Sequence, residues 1–166
     1  MRSFGRDLAH ALIDSQYITR GKRRILDLIG LALNLRASRL IIIQAKKGNP
    51  SKLDFYDIIT KGTPLLGSLL ISGVKLTREQ KHTMRAPSRA RLTIYYEDDI
   101  MPMELRKVTM FIPTLFDLEV SSSDEDRWVM KVAKFENLLE ISFLDRETAL
   151  SFGPIIRVRG IVLPST

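Results

Sequence analysis

Helix-type and strand-type patterns alternate along all 166 residues, which predicts a mixed α/β fold. Three observations carry that reading. Apolar residues recur at helical spacing near the N-terminus, β-branched runs of strand length follow one another through the middle, and Gly/Pro/Asn turns separate them. Apolar content of 45% and charged content of 27% are those of an ordinary globular chain long enough to bury a sizeable core.

Phe4, Leu8, Ala11 and Leu12 place a first helix over residues 3–13. A connection follows, with a short strand expected at Tyr17–Thr19. From Lys22 to about Arg36 the chain reads as a strongly apolar helix. Ile25, Ile29, Ala32 and Leu33 form one face, Leu26, Leu28 and Leu35 widen it, and only Asp27 and Asn34 are polar. So narrow a polar stripe predicts a helix covered on most sides. "RLIIIQA", 39–45, is too short for a helix and predicts a buried central strand. "KKGNP" makes a basic turn, "KLDFYDII" a strand, and Gly62–Pro64 a turn into another strand ending near Leu76. Thr77 and Gln80 fit a capping box, which predicts a short helix to about Met84 and then a loop containing Pro87.

"ARLTIYYED" reads as a strand. Met103 to Phe116 has helical character, with Pro113 expected to end or kink it. "DLEVSSSDEDR" is an acidic loop. "WVMKVAKF", "LLEISFL" and "PIIRVRGIVL" complete the chain as three strands, with Trp128, Met130 and Val132 on one core face. No Gly/Ser linker divides the chain, so any halves are tightly fused.

Charge narrows the function classes. Residues 1–96 hold 18 Lys/Arg against 6 Asp/Glu, whereas residues 97–166 hold 8 against 13. A basic first half beside an acidic second half predicts a polyanionic partner for the first. Its cations form three groups: Arg20, Lys22, Arg23 and Arg24 ahead of the apolar helix; Lys46, Lys47 and Lys52 around the "GNP" turn; and Lys75, Arg78, Lys81, Arg85, Arg89 and Arg91 in a basic segment. A helix start already carries partial positive charge, so cations there are unfavourable unless an anion is near. The first group therefore reads either as a phosphate site or as a solvated turn whose charges are screened by water. Strand alternation puts one ring of Phe55/Tyr56 and one of Tyr95/Tyr96 outward, to stack on a base or to lie half-buried.

Catalytic signals are thin. The chain has no cysteine, and His10 and His82 stand far apart. It carries no phosphate-loop, dinucleotide or nucleophile-elbow motif. "EDD" at 97–99 and "DED" at 124–126 are the carboxylate clusters a metal-dependent nuclease would need, and both fall in expected turns. No cofactor is expected. No apolar run reaches the roughly 18 residues of a membrane span, and the N-terminus does not read as a signal peptide, so a cytoplasmic setting without membrane contact is expected.

Five motifs in order point further. They are "RGKRRILDL", "RLIIIQAKKGNPSKL", "GTPLLGSLLISGVKL", "FENLLEISFL" and "FGPIIRVRGI". Together, from Phe4 to Ile161, they resemble the Brix-domain family of ribosome-assembly factors, and among them a compact archaeal member. The family's opening Thr-Thr-Ser-Arg strand has no counterpart ahead of Phe4. The turn reads Gly-Thr-Pro where the family has Gly-Pro-Thr, and Leu144, Asp145 and Arg146 stand where eukaryotic members have Arg-His-His. The resemblance implies one Brix domain over 1–166 with pseudo-halves of about 1–90 and 91–166. Each half would resemble the anticodon-binding domain of class II tRNA synthetases, with mixed sheets flanked by helices. It also implies a non-catalytic factor that binds precursor ribosomal RNA, with ribosomal proteins or other assembly factors as further partners. Arg20, Lys22, Arg23, Arg24, Lys46, Lys47, Lys52, Arg85 and Arg89 are the candidate RNA contacts. A protein-docking adaptor working through the acidic half is the alternative, and a metal-dependent nuclease a more distant one.

Overall fold

A computed structural model describes residues 1–97, 103–123 and 125–165. It has a mixed α/β architecture. Helices α1 (Arg2–Ala11) and α2 (Ile25–Asn34) come first, then strands β1 (Arg39–Lys46), β2 (Asn49–Asp57) and β3 (Leu65–Lys75). A single 3-10 turn, Thr77–Glu79, leads on to β4 (Leu92–Tyr96) and α3 (Met103–Phe116). Strands β5 (Trp128–Phe135), β6 (Leu138–Asp145) and β7 (Ile155–Val162) finish the chain.

All seven strands form one sheet in the order β1-β2-β3-β7-β6-β5-β4. Every neighbouring pair is antiparallel except β4 and β5, which run parallel. The main core lies on one face. There Phe4, Leu8 and Ala11 of α1 and Val108, Ile112 and Leu115 of α3 meet Leu53, Phe55, Leu69, Met130, Val132, Ile141, Phe143 and Ile156. Phe116 packs edge-on to Phe55, ring centroids 4.9 Å apart. The opposite face holds a much smaller cluster, in which Ile29 and Ala32 of α2 cover Ile58, Leu40 and Tyr56. Alternation along β1 explains the split, since Ile41 and Ile43 turn to the main core while Leu40 turns to α2.

Several expectations need correction. The strand at 39–45 is an edge strand, not a central one. Its apolar run arises because helices cover it from above and below, while its outer side has no strand neighbour among the described residues. Helix α2 is not covered on most sides, because it packs through Leu28, Ile29 and Ala32 and leaves Leu26 77% exposed. Tyr17–Thr19 is no strand. The Tyr17 ring instead packs on Gly5 and beside Ile43, carrying the chain across the β1 edge from α1 to α2. The helix expected after Thr77 is only one 3-10 turn. Glu79, not Gln80, caps it, accepting from the Leu76 amide at 2.7 Å. Gln80 is engaged elsewhere, donating to the Gly153 carbonyl at 2.9 Å.

Pro113 does not end α3, which runs on to Phe116. Proline removes the amide that would bond the Thr109 carbonyl four residues back. The Tyr96 hydroxyl donates to that carbonyl at 2.7 Å and so repairs the gap. Burial pushes the Tyr96 phenol up to about 12. Helix α2 ends with Arg36 at φ 54 and the Ala37 amide returning to the Ala32 carbonyl at 3.0 Å, the pattern of a Schellman cap.

Candidate nucleic-acid interface

The first cationic group sits in a turn that immediately precedes α2. Arg20, Lys22, Arg23 and Arg24 are all exposed. Backbone carbonyls shape the turn: Arg23 donates to the Thr19 carbonyl at 2.9 Å, and Arg20 to the Arg23 carbonyl at 3.2 Å. The Arg24 amide is held by the Asp27 carboxylate at 2.9 Å, which fixes the start of the helix. Among the described residues none of these four side chains forms an ion pair. Next come the first-turn amides of α2, which a helix cannot satisfy internally.

Lys46, the last residue of β1, and Lys47, the first of the two-residue β1–β2 turn, are both exposed. Lys47 has φ 51 and Gly48 φ 83, as a type I′ turn requires. Gly48 meets that need without cost, whereas Lys47 is held in a left-handed conformation that side chains resist. Lys52 behaves differently. It pairs with Asp54 at 3.0 Å, and Asp54, only 5% exposed, also accepts from Ser68 at 2.6 Å and from Gln44.

Around this turn a shallow cleft of about 210 Å³ is lined by Met1, Ser3, Gly48, Asn49, Val74 and Arg78, among others. The start of α1, the β1–β2 turn and the end of β3 therefore meet, and exposed Lys75 and Arg78 join Lys46 and Lys47 at one end of the sheet. Tyr17, three residues before Arg20, packs beside Ile43, three residues before Lys46. The chain thus enters the Arg20–Arg24 turn from the part of β1 that leads to these lysines.

Arg85 and Arg89 belong elsewhere. Their segment is tied to the second half, with the Met84 amide on the Ser151 carbonyl at 2.8 Å and Arg91 paired with Glu119. It leads directly into β4, the far edge of the sheet. Six strand spacings separate β4 from β1, about 29 Å. The fold therefore leaves Arg20, Lys22, Arg23 and Arg24 exposed in the turn before α2 and Lys46 and Lys47 exposed at the β1–β2 turn, engages Lys52 with its own carboxylate, and puts Arg85 and Arg89 in the segment that leads into β4.

Of the aromatic candidates, Phe55 is fully buried, Tyr56 packs under α2, and Tyr96 is bound to α3. Tyr95 is the outward ring, and the Arg146 guanidinium lies 4.6 Å from its centroid. Asp145, in the position of the family's Arg-His-His, is completely buried and accepts two 2.9 Å bonds from Arg127 and another from the Thr148 hydroxyl. Those bonds, Arg127's foremost, hold its carboxyl below the usual range. Asp57 is lowered likewise, chiefly by the Thr60 hydroxyl with Arg39 adding. Sequence reasoning missed both residues as structural anchors. Their only local signals were the Thr residues three positions on, which mark Asx-type turns.

Of the nuclease candidates, Asp98, Asp99 and Asp124 lie outside the described residues. Among the described residues no three His, Asp or Glu gather as metal ligands, and no helix is long and apolar enough to cross a membrane.

The described residues thus form a mixed α/β domain on one seven-stranded sheet, with cations exposed in the turn before α2 and around the β1–β2 turn. No family model matches the chain. Over 78 residues it is 44% identical to a protein of Pyrococcus horikoshii and 42% identical to one of Thermococcus kodakarensis, and over 81 residues 33% identical to one of Sulfurisphaera tokodaii. All three are named as probable Brix domain-containing ribosomal biogenesis proteins. The matched stretches cover 47–49% of this chain and 35–45% of those relatives, so less than half of their length is represented. Two crystal structures share the fold almost end to end. A probable ribosomal biogenesis protein from Aeropyrum pernix K1 aligns with TM-score 0.79 at 19% identity, covering 99% of this chain and 89% of that one. Mil, an archaeal Imp4-like protein, aligns with TM-score 0.65 at 20% identity, covering 98% and 91%. The resemblance to archaeal Brix-domain proteins and the mixed α/β class are borne out.

Proposed function

We propose that this chain is a non-catalytic ribosome-biogenesis factor that holds precursor ribosomal RNA through its basic end, in the cytoplasm. The single observation behind this reading is that Arg20, Lys22, Arg23, Arg24, Lys46 and Lys47 are exposed and form no ion pair among the described residues, on a fold shared with ribosomal biogenesis proteins. Their charge is available to phosphates, and counterion release supplies the affinity. Lys52 would contribute only by leaving Asp54. Arg85 and Arg89 would contact a separate stretch of a long RNA. One domain of two tightly fused halves, about 1–90 and 91–166, each resembling an anticodon-binding domain, is part of the same proposal.

The alternatives fare less well. An adaptor docking basic ribosomal proteins through the acidic half would need free carboxylates. There Glu97, Glu119, Glu140, Asp145 and Glu147 each already pair with an Arg or Lys, which leaves Glu125 and Glu136 as the exposed carboxylates without an ion pair among the described residues. RNA-independent pull-down of ribosomal proteins would support it nonetheless. Cleavage of a precursor transcript that needs Mg²⁺ and is lost in Asp98→Asn/Asp99→Asn would support a nuclease.

The test of the main reading is the salt dependence of RNA affinity. Each phosphate contact on a single strand contributes about 0.7 to the log–log slope. Replacing Lys22, Arg23 and Arg24 with Ala should flatten it by about 2. An unchanged slope would remove this turn from the interface.

A further inference from the structure

Helix α2 leaves a stripe of apolar surface in water. Leu26 is 77% and Leu33 52% exposed, and the two lie seven residues apart on one helix face. Leu35, 49% exposed at the C-cap, lies about 200° round the helix from Leu33 and does not belong to this face. Isolated exposed leucines are ordinary, but Leu26 and Leu33 share one helix face with only Gly30 between them and leave that face without an apolar partner. At the N-terminal end of the stripe stand the unpaired cations Arg20, Lys22, Arg23 and Arg24, and Arg36 is exposed at the other end. The one carboxylate on the helix, Asp27, is bound to the Arg24 amide.

We infer that α2 and the turn before it seat an acidic amphipathic helix of a partner protein. Leucine-type residues of that helix pack on Leu26 and Leu33, and its Asp or Glu residues face Lys22 and Arg23. Charge complementarity selects this occupant. RNA phosphates would meet the cations but leave the leucines in water. A second copy of the chain would bring Arg20–Arg24 or Arg36 against like charges, with no free carboxylate on α2 to offset them. A membrane surface fits poorly, because exposed Asp27 and Asn34 directly border Leu26 and Leu33, and the stripe has no Trp, Tyr or Phe to anchor at an interface. The inference goes beyond RNA binding but shares Arg20–Arg24 with that reading, and the leucines, which RNA would leave in water, distinguish the two.

The probe is a fluorescein-labelled 16-residue peptide with Leu at helical spacing and Glu at most other positions, beside a scrambled peptide of equal composition. Fluorescence anisotropy should show saturable binding to the full chain. It should weaken at least tenfold for the scrambled peptide, for Leu26→Ser/Leu33→Ser, and for Lys22→Glu/Arg23→Glu. The serine pair changes only exposed side chains, and unchanged circular dichroism and melting verify its fold. Its RNA affinity should stay within twofold of the parent. Equal peptide binding by the parent and the serine pair would overturn the inference, leaving a purely electrostatic surface. So would anionic phosphatidylserine vesicles, or a concentration-dependent dimer, whose binding the serine pair abolishes in place of peptide binding.

Discussion

Gly153 is where a single methyl group should do most damage. It sits in the "FGP" turn ahead of β7, and α1 lies directly on it. A Cβ at this position would stand 2.5 Å from the Ala11 Cβ, 2.7 Å from Phe143 Cδ2 and 2.9 Å from Phe143 Cγ. Ordinary carbon contacts are about 3.5–4.0 Å, so three atoms would each have to retreat by about 1 Å. None can do so easily, for Ala11 and Phe143 are both 0% exposed. Overpacking typically costs about 1–3 kcal/mol, and two immovable partners place Gly153→Ala near about 3 kcal/mol. For a chain of this size about 1 kcal/mol shifts the melting midpoint by roughly 2–4 °C, so a loss of roughly 6–12 °C is expected by calorimetry. Gly5→Ala is the control. Its Cβ would press on the Tyr17 ring, but that side chain is only partly buried and can swing aside. Replacing a helix-interior glycine also returns about 0.5–1 kcal/mol, so its net effect should be small. In an Ala11→Gly background the Gly153→Ala penalty should fall, a coupling readable from a double-mutant cycle. A Gly153→Ala midpoint within about 2 °C of the parent, or no lower than that of Gly5→Ala, would refute the packing argument.

Other outcomes follow from the same geometry. Tyr96→Phe should cost about 1 kcal/mol in urea titrations, because it strands the Thr109 carbonyl, and less in a Pro113→Ala background where an amide can serve that carbonyl. Asp145→Ala should cost about 2–3 kcal/mol at pH 7, since it removes the acceptor for Arg127 and Thr148. Because the folded pKa of Asp145 is lowered, its contribution is present above the ordinary carboxylate range and is lost as pH falls through the lowered value. The gap between parent and variant should therefore close on acidification below about pH 4, and a gap that widened there would reverse the sign of the argument. Lys47→Asn relieves a left-handed residue and should raise stability by about 0.5–1 kcal/mol while lowering the salt slope of RNA binding by about 0.7.

The sequence made the element order legible because periodicity and turn residues are local. Positions such as Ile41, Leu53, Met130 and Ile141 declare themselves by alternation, and four of the five motifs fell on strands of one sheet, with "RGKRRILDL" forming the turn into α2. What failed depended on who sits beside whom. The run Leu40–Ile43 looks the same whether a strand is buried by neighbours on both edges or by helices on both faces, so its place at the sheet edge could not be read. Leu26 and Leu33 continue the same apolar pattern as Leu28 and Ile29, and only the sheet decides which of them are covered. Gln80 had the spacing of a cap, yet the Gly153 carbonyl, brought near by β7, took its amide. Pro113 looked like a terminator because its remedy, Tyr96, lies on another strand.

The same distinction governs the candidate site. A surplus of twelve cations in residues 1–96 is a count, and a count does not say whether the charges are free. That depends on what the six carboxylates of that half are doing. Asp7 accepts from the Thr77 amide, Asp27 from the Arg24 amide and Glu79 from the Leu76 amide. Asp54 and Asp57 pair with Lys52 and Arg39, within the sheet. Five of the six are thus committed to backbone or to cations outside the Arg20–Arg24 and Lys46–Lys47 turns. In the second half the pattern inverts, with Arg127, Lys131 and Arg157 each paired to a carboxylate. The fold uses its first-half acids to close turns and its second-half acids to neutralise cations. The positive field is consequently stronger at the β1 end than the net charge of +7 suggests. Restoring a free carboxylate there, for instance by Asn49→Asp beside Lys46, should weaken a polyanion's hold more than the same charge added in the second half.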